Sequence, residues 1–200
     1  GSGNVLASAV TSLSATGGAG SNDINVSGVT AAVFTALTNV TLDGAGGADT
    51  LTGSEFGETL IGGSGNDGLA GGAGNDTYQF ARGDGQDTIL DVDAFLGNQD
   101  RALFGTAIDP FDLVMSRQAN DLRLAIHDSA DQVTVKDWYL GRTNHIETFQ
   151  AGNGEVLLST QVDQLIQAMA AFTQQTGLTW DQAIEQRPQD VQMVLAASWQ

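Results

Sequence analysis

Between residues 44 and 79 the chain repeats every nine residues, and so short a period leaves few ways to fold. The windows are GAGGADTLT (44–52), GSEFGETLI (53–61), GGSGNDGLA (62–70) and GGAGNDTYQ (71–79). The last two follow G-G-x-G-x-D-x-U-x, where U is a large apolar residue. Glycines at positions one, two and four open left-handed backbone conformations that other residues avoid. A tight turn built from them points several carbonyl oxygens one way, and the acid at position six adds a carboxylate. Oxygen-only donors of this kind suit Ca2+. Positions seven to nine form a short strand whose U side chain points inward between two outward neighbours. Two windows, eighteen residues, close one coil of a flattened solenoid. Turns eighteen residues apart then stack on one edge, where a cation can take ligands from both.

The register reaches further than the glycines do. Counting back in nines gives GGAGSNDIN (17–25), VSGVTAAVF (26–34) and TALTNVTLD (35–43). Position eight then reads Ile24, Val33, Leu42, Leu51, Leu60, Leu69 and Tyr78, apolar in every window. This predicts a solenoid that starts near residue 10. The windows at 26–43 lack the glycine pattern and the Asp, so their turns are expected to be metal-free and held by packing. After Tyr78 the stretch QFARGDGQDTILD (79–91) supplies a last coil at 82–90, shifted by two residues, with Ile89 at the U position.

Charge narrows the partners. Seven Lys and Arg stand against 24 acids, a formal charge of −17, which opposes nucleic acid and anionic membranes and favours cations. A disordered Gly-rich linker would not keep a nine-residue apolar register. There is no Cys, hence no disulfide framework. No run of eighteen apolar residues exists, so no transmembrane helix is expected, and no basic, apolar signal peptide opens the chain. The initial Gly-Ser-Gly reads as a fusion scar on a piece of something longer.

Residues 100–158 change character. Leu122, Leu124 and Ile126, then Val133 and Val135, alternate as strands do. Gly152-Asn153-Gly154 joins IETFQ (146–150) to EVLL (155–158) as a hairpin. Trp138, Tyr139 and Phe149 supply bulk. The expectation is a small antiparallel cap over the open end of the solenoid, whose last coil would otherwise leave strand edges bare. Residues 159–200 read as helical, with Ser159 or Thr160 as cap and a stripe of Val162, Leu165, Ile166, Met169 and Phe172. Gly177 suits a helix stop, Thr179-Trp180-Asp181-Gln182 a capping box, and Pro188 the start of a third helix.

The nonapeptides at 44–79 and the GDGQDTI stretch at 83–89 resemble the C-terminal end of haemolysin-type calcium-binding (RTX) proteins exported by Gram-negative bacteria. The segment 111–139 is similar to the domain that follows such repeats, and the tail resembles an uncleaved type I secretion signal. The resemblance implies a mainly β fold: a parallel β-roll over 1–99, an antiparallel β cap over 100–158 and a helical tail over 159–200. It also implies a ligand scheme. One turn gives carbonyls from positions two and four and its Asp; the turn eighteen residues on gives carbonyls from positions one and three and its own Asp. One calcium site then uses Ala45, Gly47 and Asp49 with Gly62, Ser64 and Asp67. A second, on the opposite edge, uses Ser54, Phe56 and Glu58 with Gly71, Ala73 and Asp76; Phe56 for Gly and Glu58 for Asp mark it as weak or empty. A third uses Gly63, Gly65 and Asp67 with Arg82, Asp84 and Asp87, the two-residue shift bearing on Arg82 and Asp84. About two to four Ca2+ ions follow, with the acids as mere turn-stabilising groups the bland alternative.

Other residues carry less. His127 and His145 lie in no H-E-x-x-H, and no G-x-S-x-G occurs, so no protease or hydrolase site is read. Asp109-Pro110 is a turn before the strand at 111–117, with self-cleavage the sharper alternative. Asp87, Asp91 and Asp93 form either a partial calcium site or a solvated cluster. The resulting expectation is a non-enzymatic, monomeric, secreted or cell-surface module. It folds on Ca2+ outside the cell and supports type I secretion of a larger protein, its tail meeting the secretion machinery. The rival is a surface-adhesion or lattice-anchoring module in which calcium bridges molecules.

Overall fold

A computed structural model describes residues 6–92 and 97–200. Its strands are β1 (Ser12–Thr16), β2 (Asp23–Asn25), β3 (Asn39–Asp43), β4 (Thr50–Thr52), β5 (Glu58–Ile61), β6 (Gly68–Ala70), β7 (Thr77–Phe80), β8 (Gln86–Ile89) and β9 (Arg101–Phe104). They continue with β10 (Leu113–Gln118), β11 (Asp121–Ile126), β12 (Gln132–Val135), β13 (Thr148–Gln150) and β14 (Val156–Leu158). Three helices close the chain: α1 (Val162–Thr176), α2 (Trp180–Gln186) and α3 (Pro188–Leu195). The protein is mainly β, with two seven-stranded mixed sheets.

Through β9 the chain alternates between the sheets, odd strands in one and even strands in the other. Pairing along each sheet is parallel. Thr41 faces Thr59, Thr59 faces Thr77, and Thr50 faces Gly68, each eighteen residues on. The U residues Leu42, Leu51, Leu60, Leu69, Tyr78 and Ile89 are all buried between the sheets. Each such burial contributes about 1.5–3 kcal/mol, and each side chain stacks on its equivalent from the neighbouring coil. At β6–β8 the step becomes twenty residues, Gly68 opposite Thr88.

The apolar register fails at Val33, which is 53% exposed. Ser14 pairs with Thr41 and Asp23 with Thr50, so the first coil takes twenty-seven residues, one window more than the others. Residues 26–38 contain no strand. The cause is local. Like VSGVTAAVF, TALTNVTLD lacks the glycines at positions one, two and four and the acid at position six, yet it forms β3. NVTLD alternates apolar and polar residues and buries Val40 and Leu42, whereas TAAVF carries no such alternation. It forms a bulging loop, held in part by Glu55, whose carboxylate accepts from the Ala31 N–H.

The segment from residue 100 is not antiparallel throughout. β9 lies parallel to β7, Thr77 opposite Arg101. β10, β11 and β12 are mutually antiparallel, yet β12 joins β8 in parallel, Gln132 opposite Gln86. β13 joins β9 in parallel and pairs antiparallel with β14. The C-terminal strands therefore extend both sheets. An edge strand offers unpaired N–H and C=O groups, and these strands satisfy them.

In the tail, Val162, Leu165 and Met169 form the buried face of α1, and Gly177, at φ +73°, ends it. Ser159 and Thr160 lie in a 3-10 turn rather than capping α1, whose first flanking residue is Gln161. The Thr179–Gln182 capping box and Pro188 at the start of α3 are present. Gln200 exchanges two backbone hydrogen bonds with Val156, at 2.8 and 3.0 Å, and Trp199 is buried beside them. Among the described residues no helix is long and apolar enough to cross a membrane.

Candidate metal centre

The turns between strands form two edges. On the first, which carries turns 17–22, 44–49, 62–67 and 82–87, position-six groups are strung into a ladder. Asn22 N–H donates to Asp49 Oδ1 (2.6 Å), Asp49 N–H to Asp67 Oδ1 (2.7 Å) and Asp67 N–H to Asp87 Oδ1 (3.0 Å). Each carboxylate thus reaches back to the preceding turn. One oxygen is engaged; the other, Oδ2 of Asp49 and of Asp67, is buried with no hydrogen-bond partner among the described residues.

The glycines explain themselves against this ladder. A Cβ on Gly44 would stand 2.5 Å from Asp49 Oδ2, and one on Gly62 would stand 2.4 Å from Asp67 Oδ2. Position one is therefore glycine because the carboxylate of its own window lies over it. Position two needs left-handed backbone: φ is +70° at Ala45 and +85° at Gly63. Position four does too, at Gly47 (+107°) and Gly65 (+154°).

The first predicted site is brought together. The Ala45 carbonyl accepts from Ser64 N–H at 3.0 Å, and the Ser64 carbonyl accepts from Gly47 N–H at 2.8 Å, so both turns meet through their ligand-bearing residues. A carbonyl oxygen has a second lone pair, and each can still face a cation. An all-oxygen set with two buried, unsatisfied carboxylate oxygens fits a hard divalent cation such as Ca2+. Among the described residues no three acidic or histidine side chains gather as a metal-holding group, so an ion here draws on backbone oxygens as well.

The third predicted site is brought together in part. The Asp84 carbonyl accepts from Gly65 N–H at 2.7 Å, and Asp87 continues the ladder. The Arg82 guanidinium turns away, donating to the carbonyls of Ala107 (2.8 Å) and His127 (3.0 Å) and pairing with Asp112. The Asp84 carboxylate is taken up by the Ala81 N–H at 2.6 Å. Burial raises the pKa of Asp67, aided by the Asp49 charge. Burial, with the charges of Asp67, Asp84 and Asp131, pushes Asp87 up to about 7. A cation between the turns would relieve this crowding.

The second predicted site differs. Glu58 N–H donates to Asp76 Oδ1 at 2.7 Å, but the Glu58 carboxylate folds onto its own turn, held by Ser54. This second edge has its own ladder, which leaves the repeats: Asp76 N–H donates to Asp100 Oδ1 (2.7 Å), and Asp100 N–H to Glu147 Oε2 (2.9 Å). On the first edge Asp131 plays the terminal part, accepting from Gly83 N–H (2.8 Å) and Gly85 N–H (3.2 Å). Asp100, Glu147 and Asp131 were invisible to the nine-residue count. Asp91 is buried and accepts from the Tyr78 hydroxyl, while Asp93 lies outside the described residues. His127 pairs with Asp181, and His145 stacks on Trp138 at 4.0 Å.

Known proteins share parts of this chain. Residues 121–161, from β11 to the start of α1, match the model of the haemolysin-type calcium binding protein related domain. The chain is 37% identical over 94 residues to the iron-regulated protein FrpA of Neisseria meningitidis serogroup C. That match covers 46% of this chain and 8% of FrpA, so the chain spans a small part of that relative's length. The resemblance carried by the glycine-aspartate repeats is thus met again in the strands that follow them: the chain resembles the haemolysin-type calcium-binding proteins, with their related domain at 121–161.

Proposed function

We propose that the chain is a calcium-dependent folding module, a parallel β-roll through residue 104 closed by residues 105–158 and followed by an export signal at 159–200. Ca2+ sits on the first edge, held by Asp49 and Asp67 with the carbonyls of Ala45, Gly47, Gly62 and Ser64. A further ion sits by Asp67 and Asp87, with the carbonyls of Gly63, Gly65, Arg82 and Asp84. The observation that carries this reading is the pair of buried carboxylate oxygens, Asp49 Oδ2 and Asp67 Oδ2, with no hydrogen-bond partner among the described residues. Without the cation, stacked carboxylates repel and short strands bury too little to offset chain entropy. Ligand binding then becomes folding free energy. At the low calcium of the cytosol the segment stays loose enough to thread an exporter; at ~0.1–1 mM outside, it folds.

Far-UV circular dichroism in EGTA and then in millimolar calcium tests the folding half. Strand signal should appear with calcium and poorly with magnesium, which demands tighter octahedral geometry. An unchanged spectrum would sink the reading. Fusing residues 159–200 to an otherwise cytoplasmic carrier tests the export half. Passage through a matching type I transporter supports it, and retention rejects it.

A further inference from the structure

On the second edge the position-six acid already has its partners. Glu58 Oε1 accepts from the Ser54 hydroxyl, and Oε2 accepts from the Ser54 N–H at 3.0 Å. The same hydroxyl accepts from the Phe56 N–H at 3.2 Å. Glu58 is 2% exposed and Ser54 8%, so this small network is closed to water. Glutamate's extra methylene lets the carboxylate fold back across its own turn to position two. Asp49 and Asp67, one carbon shorter, reach the neighbouring turn instead and keep an oxygen spare.

The backbone differs as well. Positions two and four have positive φ at Ala45, Gly47, Gly63, Gly65, Gly72 and Gly74, but not at Ser54 or Phe56. The Ser54 carbonyl still accepts from Ala73 N–H at 3.0 Å, as the Ala45 carbonyl does from Ser64 N–H on the first edge, so the two edges differ at the acid and not at this carbonyl. One turn further along the edge a second hydroxyl intervenes. Tyr78 holds the U position that is Leu in the four windows before it. Its ring spans from the core to the turn, where its oxygen accepts from Gly71 N–H (2.9 Å) and donates to Asp91 Oδ1 (2.8 Å).

We propose, resting on the calcium reading of the first edge, that turn 53–58 excludes calcium: the Ser54 hydroxyl holds Glu58 in place of a cation, and the Tyr78 hydroxyl steadies the next turn of that edge. Glu58 is then the residue that specifies a metal-free turn within a calcium-binding repeat. A cation entering there would have to strip both Ser54 hydrogen bonds from the carboxylate.

Calorimetric titration of the full chain with calcium reads the number of ions and their midpoint. Glu58→Gln, which keeps the side-chain size, should leave the ion count unchanged and the midpoint within about twofold. Loss of one ion, or a midpoint weakened by about tenfold, overturns the proposal. Ser54→Gly/Phe56→Gly/Glu58→Asp restores the repeat motif at this turn. The folded triple variant should gain one ion, and a folded variant that gains none overturns the proposal too. If the triple variant does not fold, Glu58→Gln still decides. Asp67→Asn, run in parallel, reads the other edge. An unchanged ion count there would defeat the calcium reading of the first edge and leave the Glu58 result to stand by itself.

Discussion

The two edges of this protein are built on the same nine-residue spacing and use it differently. On the first, Asp49 and Asp67 each give one oxygen to the turn before and keep the other buried, with no partner among the described residues. On the second, Glu58 spends both oxygens on Ser54. Both edges feed strands into the same core of Leu42, Leu51, Leu60, Leu69, Tyr78 and Ile89. The spacing therefore carries both edges, while single residues at positions two and six set whether the carboxylate of a turn is engaged within it or reaches the turn before. A repeat can be regular in its packing and irregular in its chemistry.

That contrast can be broken most severely at Gly62. A Cβ there would meet the Asp67 carboxylate at 2.4 Å, so Gly62→Ala should cost on the order of 3 kcal/mol and shift the calcium-induced dichroism to far higher calcium. A variant that folds at the original calcium level would show that Asp67 is free to move away. Next in size is Tyr78→Phe. It removes one hydrogen bond each from the Gly71 N–H and Asp91, for a cost of about 1–3 kcal/mol. The thermal midpoint of the calcium-saturated protein should fall while the ion count stays constant; a lost ion would place calcium on the second edge.

Acidity sharpens the contrast from the other side. The folded pKa of Asp87, about 7, lies above its ordinary 3.8. Between those values the folded, metal-free chain holds a proton that the unfolded chain has released. Metal-free stability contributed by this group is therefore greatest at the acidic end and falls as pH rises through about 7. Melts in EGTA should show more residual structure at mildly acidic than at mildly alkaline pH, and the calcium midpoint should weaken as pH drops below about 7. The reverse order would mean that Asp87 is not buried among like charges. The smallest effect belongs to Gly68→Ala, where the nearest atom to the new Cβ is the Asp49 carbonyl oxygen at 3.9 Å. It should change stability by no more than about 0.5 kcal/mol, against the severe loss at Gly62.

Much of the architecture was legible because its causes are local. The U residues are apolar whatever the turn contains, and GDGQDTI carries its own glycines, so the two-residue shift shows up in the pairing of Gly68 with Thr88. Val33 misled because a single apolar residue at position eight makes no strand without the alternation that Val40 and Leu42 supply in the next window. β9 was hidden because twenty-four residues separate Thr77 from its partner Arg101, a step outside the nine-residue count. The ladder's continuation through Asp100, Glu147 and Asp131 was hidden likewise, since those residues reach the edges by long-range strand pairing and not by repetition. The reason for glycine at position one exists only in the folded chain. Nothing in the motif says that the carboxylate five residues later will lie on top of it.

The twenty-seven-residue first coil has a consequence for how such chains can lengthen. One window carries the chain from one sheet to the other, so a single added window, if it made a strand, would deliver every later strand to the opposite sheet and turn each edge's chemistry over to its neighbour. The window at 26–34 makes no strand, and β3 still lands beside β1. Odd insertions must therefore be expelled as loops, whereas even ones can be absorbed as a whole coil. Duplication or loss of windows in this molecule would then follow a parity rule, and the bulge at 26–38 shows how one window beyond a whole coil is accommodated.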